Sequence, residues 1–268
     1  MNELNEPISA PQKRTVAVLF SASGLFSASM IAAFTLSSII AADLTGNDVV
    51  AGLPNTIGLI GRALFALPFG YMMDRIGRRL SLSFGYALAV LGAMVSAWAV
   101  GGLSFAGFLV GALLFGMSRA AGDQSRYVGA EVFPFQRRAE VIGIIVSAGT
   151  VGAILGPLLV PVSTNWMSKI GLPEMSGPFI VSAILMLVAT CVIFLFLRPD
   201  PQLLGQQMAD QEASLDPSNI ENIAGDGRHL RDIFASPMVQ LAVLSMVLSY
   251  FVMAMLMVIT PLHMDRHD

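Results

Sequence analysis

The chain has 268 residues, of which 55% are hydrophobic and only 12% charged, with a formal net charge of −3. A soluble domain carries about a quarter charged residues, so this composition excludes an ordinary water-soluble globule and points to lipid as the solvent. The charge balance gives no basic surface for a nucleic acid, and the single Cys191 excludes a disulfide framework or cysteine metal cluster within one chain.

Seven stretches reach the roughly 20 mostly apolar residues that a transmembrane helix needs. In chain order they are residues 16–41, 49–71, 80–100, 105–130, 141–161, 178–197 and 238–259. The first is too long for the core of a signal peptide and lacks a small-x-small cleavage pattern, so it is read as a retained span. The fourth is the least apolar, because it carries Arg119, Asp123 and Arg126. Trp98 and Trp166 fall where an outer aromatic belt is expected.

Basic residues set the orientation. With the N-terminus in the cytoplasm, the inner set is Lys13, Arg14, Arg75, Arg78, Arg79, Arg126, Arg137, Arg138, Arg198, Arg228 and Arg231. Lys169 and Arg266 lie outside, while Arg62 and Arg119 lie at membrane depth. The opposite orientation inverts the rule, so a multi-pass protein of a bacterial inner membrane with its N-terminus inside is expected. Residues 198–236 are rich in Asp, Glu, Gln, Ser, Asn and Pro and read as a cytoplasmic linker, helical near Arg228 to Phe234. The expected organisation is therefore a bundle at 1–197, a linker at 198–236, and a seventh span with an outer tail at 237–268. The fold class is all-α, a polytopic membrane helix bundle.

Between spans two and three the chain reads Gly70-Tyr-Met-Met-Asp74-Arg75-Ile-Gly77-Arg78-Arg79. This resembles the G-x-x-x-D-R-x-G-R-R/K signature of the major facilitator superfamily, in the corresponding cytoplasmic loop. Taken alone, Gly70 would allow close helix approach, Gly77 a tight reversal, and Asp74 and Arg78 an ion pair one turn apart. A second reading is that the basic residues only enforce topology. The resemblance implies that Asp74 latches onto the start of a helix in a second six-helix half.

Glu131-Val-Phe-Pro134-Phe-Gln-Arg137-Arg138 resembles the same family's turn between helices four and five. Gly143, Gly152, Gly156 and Pro157 resemble the signature of its antiporter branch, although Val160 and Pro161 stand where a terminal Gly-Gly is usual. Those small residues also read as a packing face with a proline kink. In span four, Gly116 matches the family's glycine, but Ala112 stands where its proton-coupling arginine is usual.

Charges at membrane depth are costly and rarely face lipid. Arg62 lies twelve residues before Asp74, about 18 Å along a helix. Arg119 lies twelve residues before Glu131, at similar depth, with Asp123 and Arg126 following on the same face. Arg62 and Arg119 are the candidates for a substrate pathway, since guanidinium matches carboxylate or phosphate. With no acid within two turns of it, Arg62 is expected to be unpaired. Asp123 and Arg126 are structural ion-pair candidates in a ladder with Arg119, in which Asp123 is ionised rather than a proton relay. His263, Asp265, His267 and Asp268 read as a polar outer tail rather than a metal site, and no other metal site or cofactor is expected. No nucleophile elbow, phosphate loop or His-Glu-x-x-His helix is present, so an enzyme is not expected.

Two functions remain. One is secondary-active transport of a small solute by alternating access, possible substrates being an organic anion or a drug-type antiporter solute, with a proton as a coupling ion. The other is a non-transporting fragment or half-length module that acts only by association with a missing C-terminal half or a second copy. Six spans, a linker and one further span resemble a twelve-span member cut just inside its second half, which would leave the chain alone inactive. Lipid and solute are the expected partners. Substrate identity and the direction of transport are not written in the sequence.

Overall fold

The computed structural model describes residues 9–215 and 235–265, with side chains over 9–208 and 235–252 apart from Asp48 and Tyr250. Those residues are helical with short connections. The helices are α1 Ala10–Thr35, α2 Ser37–Thr45, α3 Leu53–Ile76, α4 Arg78–Gly101, α5 Phe105–Glu131, α6 Phe135–Ile170, α7 Gly177–Phe196, α8 Pro201–Leu215 and α9 Pro237–Asp265. Six segments among the described residues are long and apolar enough to cross a membrane, and they correspond to the first six predicted spans. The seventh falls on α9, whose side chains past 252 lie outside the described residues.

Local chemistry marks the helix ends. At the start of α1 the Gln12 side chain accepts the Ser9 backbone N–H at 2.9 Å and donates to the Val132 carbonyl at 2.8 Å. One residue thus closes its own helix start and ties it to the end of α5. Ser104 accepts the Gly107 N–H at 3.2 Å and caps α5. Gly171, in the left-handed region at φ 76°, ends α6.

Two predicted boundaries shift. The first apolar run is two helices meeting at Leu36, and together they cover Ala10–Thr45. The fifth is the 36-residue α6, much longer than residues 141–161. Hydropathy measures the thickness of the apolar band, whereas Arg137, Arg138 and Glu140 at one end and Asn165 to Lys169 at the other keep the helix going in polar surroundings. The linker also differs from the reading of its composition, because its first part is helix α8. The helix expected near Arg228 to Phe234 lies outside the described residues.

The chain divides into two compact units, Met1–Glu212 and Ala213–Asp268. In the first, α1 packs on α6 and α7, α4 on α5 and α7, and α3 on α5. Lipid tails are as apolar as leucine, so helix association rests on close packing and interhelical hydrogen bonds. A side chain at Gly116 would collide with the Gly58 backbone across the α3–α5 seam. Gly152 and Gly156 are equally closed by Gly24, Ala28 and Ile31 of α1. Ser29 and Ser182 exchange hydrogen bonds with each other's carbonyls at 3.2 and 2.8 Å, joining α1 to α7 in the buried interior. Tyr86, Phe69, Phe108 and Phe115 are the largest fully buried side chains between the helices. In the second unit, α9 starts after Ser236, whose carbonyl accepts the Gln240 N–H at 3.1 Å.

Candidate functional site

Two charged sites emerge in the first unit, one at the signature loop between α3 and α4 and one within the spans. The loop is built around Arg78. Its Nη1 donates to Asp74 Oδ1 at 2.7 Å, one turn back as the spacing requires. Its Nε and Nη2 donate to Glu131 Oε2 and Oε1 at 3.0 and 3.2 Å, a two-pronged grip on the end of α5. Asp74 keeps 69% of its side chain exposed. Gly77, at φ 92°, turns the chain, and a methyl group there would come within 2.6 Å of Asp200. Asp200 accepts the first backbone N–H groups of α4, from Arg78 and Arg79, at 3.2 Å each. A carboxylate at a helix N-terminus also sits favourably in the helix dipole.

The other signature residues divide between contact and exposure. Arg79 donates twice to the Phe194 carbonyl, at 2.9 and 2.6 Å, and lies over the Phe194 ring. Arg75 is exposed and stacks on Tyr71. Gly70 departs from expectation, since nothing described lies within 4 Å of a side chain placed there. The same is true of Gly143, while Gly152 and Gly156 are packing positions and Pro157 is exposed. Glu131 as a partner of Arg78, and Asp200 as the cap of α4, were not foreseen. The acidic residue of the Glu131-Val-Phe-Pro134 turn and the Asp between two prolines at 199–201 were the available signals.

Within the spans the expected ladder is replaced by a different pairing. Arg62 Nη2 on α3 meets Asp123 Oδ2 on α5 at 2.6 Å, with 25% and 35% of their side chains exposed. Arg62 is therefore paired, and the partner of Asp123 is neither Arg119 nor Arg126. The helices α3 and α5 touch through glycine at Gly58, Gly61 and Gly116, close enough for a long guanidinium side chain to cross. That cross-helix route has no trace in the spacing along either helix. Arg119 is exposed and forms no ion pair among the described residues. Arg126 lies over the Tyr127 ring at 5.0 Å, and its buried Nε has no hydrogen-bond partner among the described residues. No group of three or more His, Cys, Asp or Glu that could hold a metal exists among the described residues. The side chains of His263 to Asp268 lie outside them.

Residues 18–268 match the family described as Major Facilitator Superfamily, and the chain belongs to it. It is similar to the uncharacterized MFS-type transporter YdeG of Bacillus subtilis, with 32% identity over 98% of this chain and 61% of that protein. It is also similar to the riboflavin transporter RfnT of Brucella anthropi, with 26% identity over 95% of this chain and 60% of that protein. Among solved structures, the human organic anion transporter MFSD10 (TETRAN) shares its fold with a TM-score of 0.54 at 22% identity. That match covers 72% of this chain and 49% of the other. The chain spans about three fifths of the length of the curated relatives it matches over most of its length. It is a multi-pass integral membrane protein of a transporter family.

Proposed function

We propose that the chain works in a secondary-active transporter that moves a small organic anion across a bacterial inner membrane by alternating access. The observation that carries this reading is the Arg62–Asp123 pair, with the exposed Arg119 one turn before Asp123 on α5, within spans where charge is rare. Ionisable groups within membrane spans mark substrate or ion pathways in membrane proteins, and guanidinium suits a carboxylate or phosphate. Support for a small solute comes from RfnT, named for riboflavin, and for an anion from a relative named as a probable anion transporter that matches 42% of this chain. Alternating access requires two bundles moving about a site between them, so the cycle belongs to this bundle together with a second one. Proton coupling and an antiporter mode are finer steps of the same reading. Asp123 serves the site through its ion pair with Arg62 rather than as a proton carrier.

The test uses a chimera in which the C-terminal bundle of the Bacillus relative YdeG follows residue 236, assayed for uptake or efflux of a panel of anions. Arg62→Ala should abolish transport of whichever anion the chimera moves, at unchanged expression. Survival of anion transport in that variant, or transport confined to cations, would sink the reading.

A further inference from the structure

We propose that Arg62, Arg119, Asp123 and Arg126 form a binding site for a dianion, in which Asp123 fixes how much charge the ligand must bring. The inference rests on the anion reading above and adds the charge class of the substrate. Residues 119, 123 and 126 lie on one face of α5, separated by one turn and then another. Arg119 and Arg126 are thus about 10.5 Å apart along the axis, with Asp123 between them and Arg62 reaching in from α3.

The charges in this cluster do not balance. The cluster holds three guanidinium groups and one carboxylate, and that carboxylate is committed to Arg62. Arg119 has no ion-pair partner among the described residues, and the buried Nε of Arg126 has no acceptor. Neighbouring carboxylates cannot make up the difference. Glu131 is held by Arg78 and Glu140 lies beside Arg137. A buried polar atom left without a partner is costly, and an uncompensated charge at this depth more so. A ligand carrying two negative charges brings the cluster to neutrality and supplies an acceptor for Arg126. A monoanion leaves one cation bare, and a trianion brings one charge too many.

Asp123 therefore acts as a specificity residue by counting charge, and its pairing keeps Arg62 oriented when no ligand is present. The site would take a dicarboxylate or a compact divalent oxyanion, which share the chemistry that guanidinium reads.

The experiment is calorimetric titration of the 268-residue chain in lipid nanodiscs at neutral pH with succinate, butyrate and tricarballylate, which carry two, one and three charges. Succinate should bind roughly tenfold more tightly than butyrate. Asp123→Asn should move the preference toward tricarballylate. Arg119→Gln should level succinate with butyrate, and since Arg119 is exposed the fold does not rest on it, so this variant decides the matter if Asp123→Asn folds poorly. Equal affinity for butyrate and succinate, or an unchanged ratio in Arg119→Gln, would overturn the dianion site and leave the anion reading standing. If no anion binds while the chimera transports a neutral or cationic solute, both fall.

Discussion

Arg78 answers to two carboxylates at once, Asp74 on its own side of the loop and Glu131 on another helix. Removing it leaves both acids without their cation, and hydrogen bonds to charged groups are worth about 1.5–3 kcal/mol. Arg78→Ala should therefore cost about 2 kcal/mol, read as a lower melting temperature in nanodiscs. Arg78→Lys should recover part of this, because a point charge cannot grip Glu131 with two parallel bonds. Gly77 and Asp200 form a second pair with a sharper signature. Asp200→Ala removes the cap of α4, worth about 1 kcal/mol. Gly77→Ala adds both a strained φ and a collision with Asp200. In Gly77→Ala with Asp200→Ala the collision is gone, so the double variant should be less destabilised than the sum of the singles. Strict additivity would show that the two residues do not act on each other. At this scale the sequence was only partly legible. The Asp74–Arg78 pair follows from helical spacing, whereas Arg62 with Asp123, and Asp200 with the start of α4, join residues that no local period connects.

At the scale of the helix, glycine positions separate into those that carry a seam and those that do not. Gly116 lies against the Gly58 backbone, and Gly152 against Gly24. Replacing either with leucine should push two helices apart and lower the monodisperse yield in size-exclusion chromatography. Gly143→Ala and Gly70→Ala meet nothing described within 4 Å and should leave yield and melting temperature close to wild type. A yield loss at Gly143 equal to that at Gly152 would mean that the α1–α6 seam is not the reason for these glycines. Sequence spacing placed all four residues of the fifth-span motif in one class, because a periodic pattern reports a helix face and not the neighbour across it. The first six spans themselves were legible, since some twenty apolar residues in a row have few other uses. The ends of α6 and the presence of α8 were not, because polar residues continue a helix as readily as they end one.

For the whole molecule, the distribution of basic residues predicts which side of the membrane each end occupies. Lys13, Arg14, Arg137 and Arg138 share the side of the Arg78 loop, where Gln12 at the start of α1 bonds the Val132 carbonyl just past α5. The linker should lie on that same cytoplasmic side and the tail beyond α9 on the other. Cysteine introduced at Ser214 should react with a membrane-impermeant reagent only after the cells are opened, and cysteine at Asp268 in intact cells. Labelling of position 214 in intact cells would reverse the topology.

Asp200 has one further consequence, and it concerns time. The carboxylate that finishes the start of α4 lies 122 residues further along the chain than the Arg78 N–H it receives. At a synthesis rate of about 5–20 residues per second, the start of the third span is already made for roughly 6–24 s before its cap leaves the ribosome. Through that interval the Gly77 turn and its two arginines must wait with their backbone donors open to water. The sixth span, on arrival, closes a junction that the second and third spans had left unfinished.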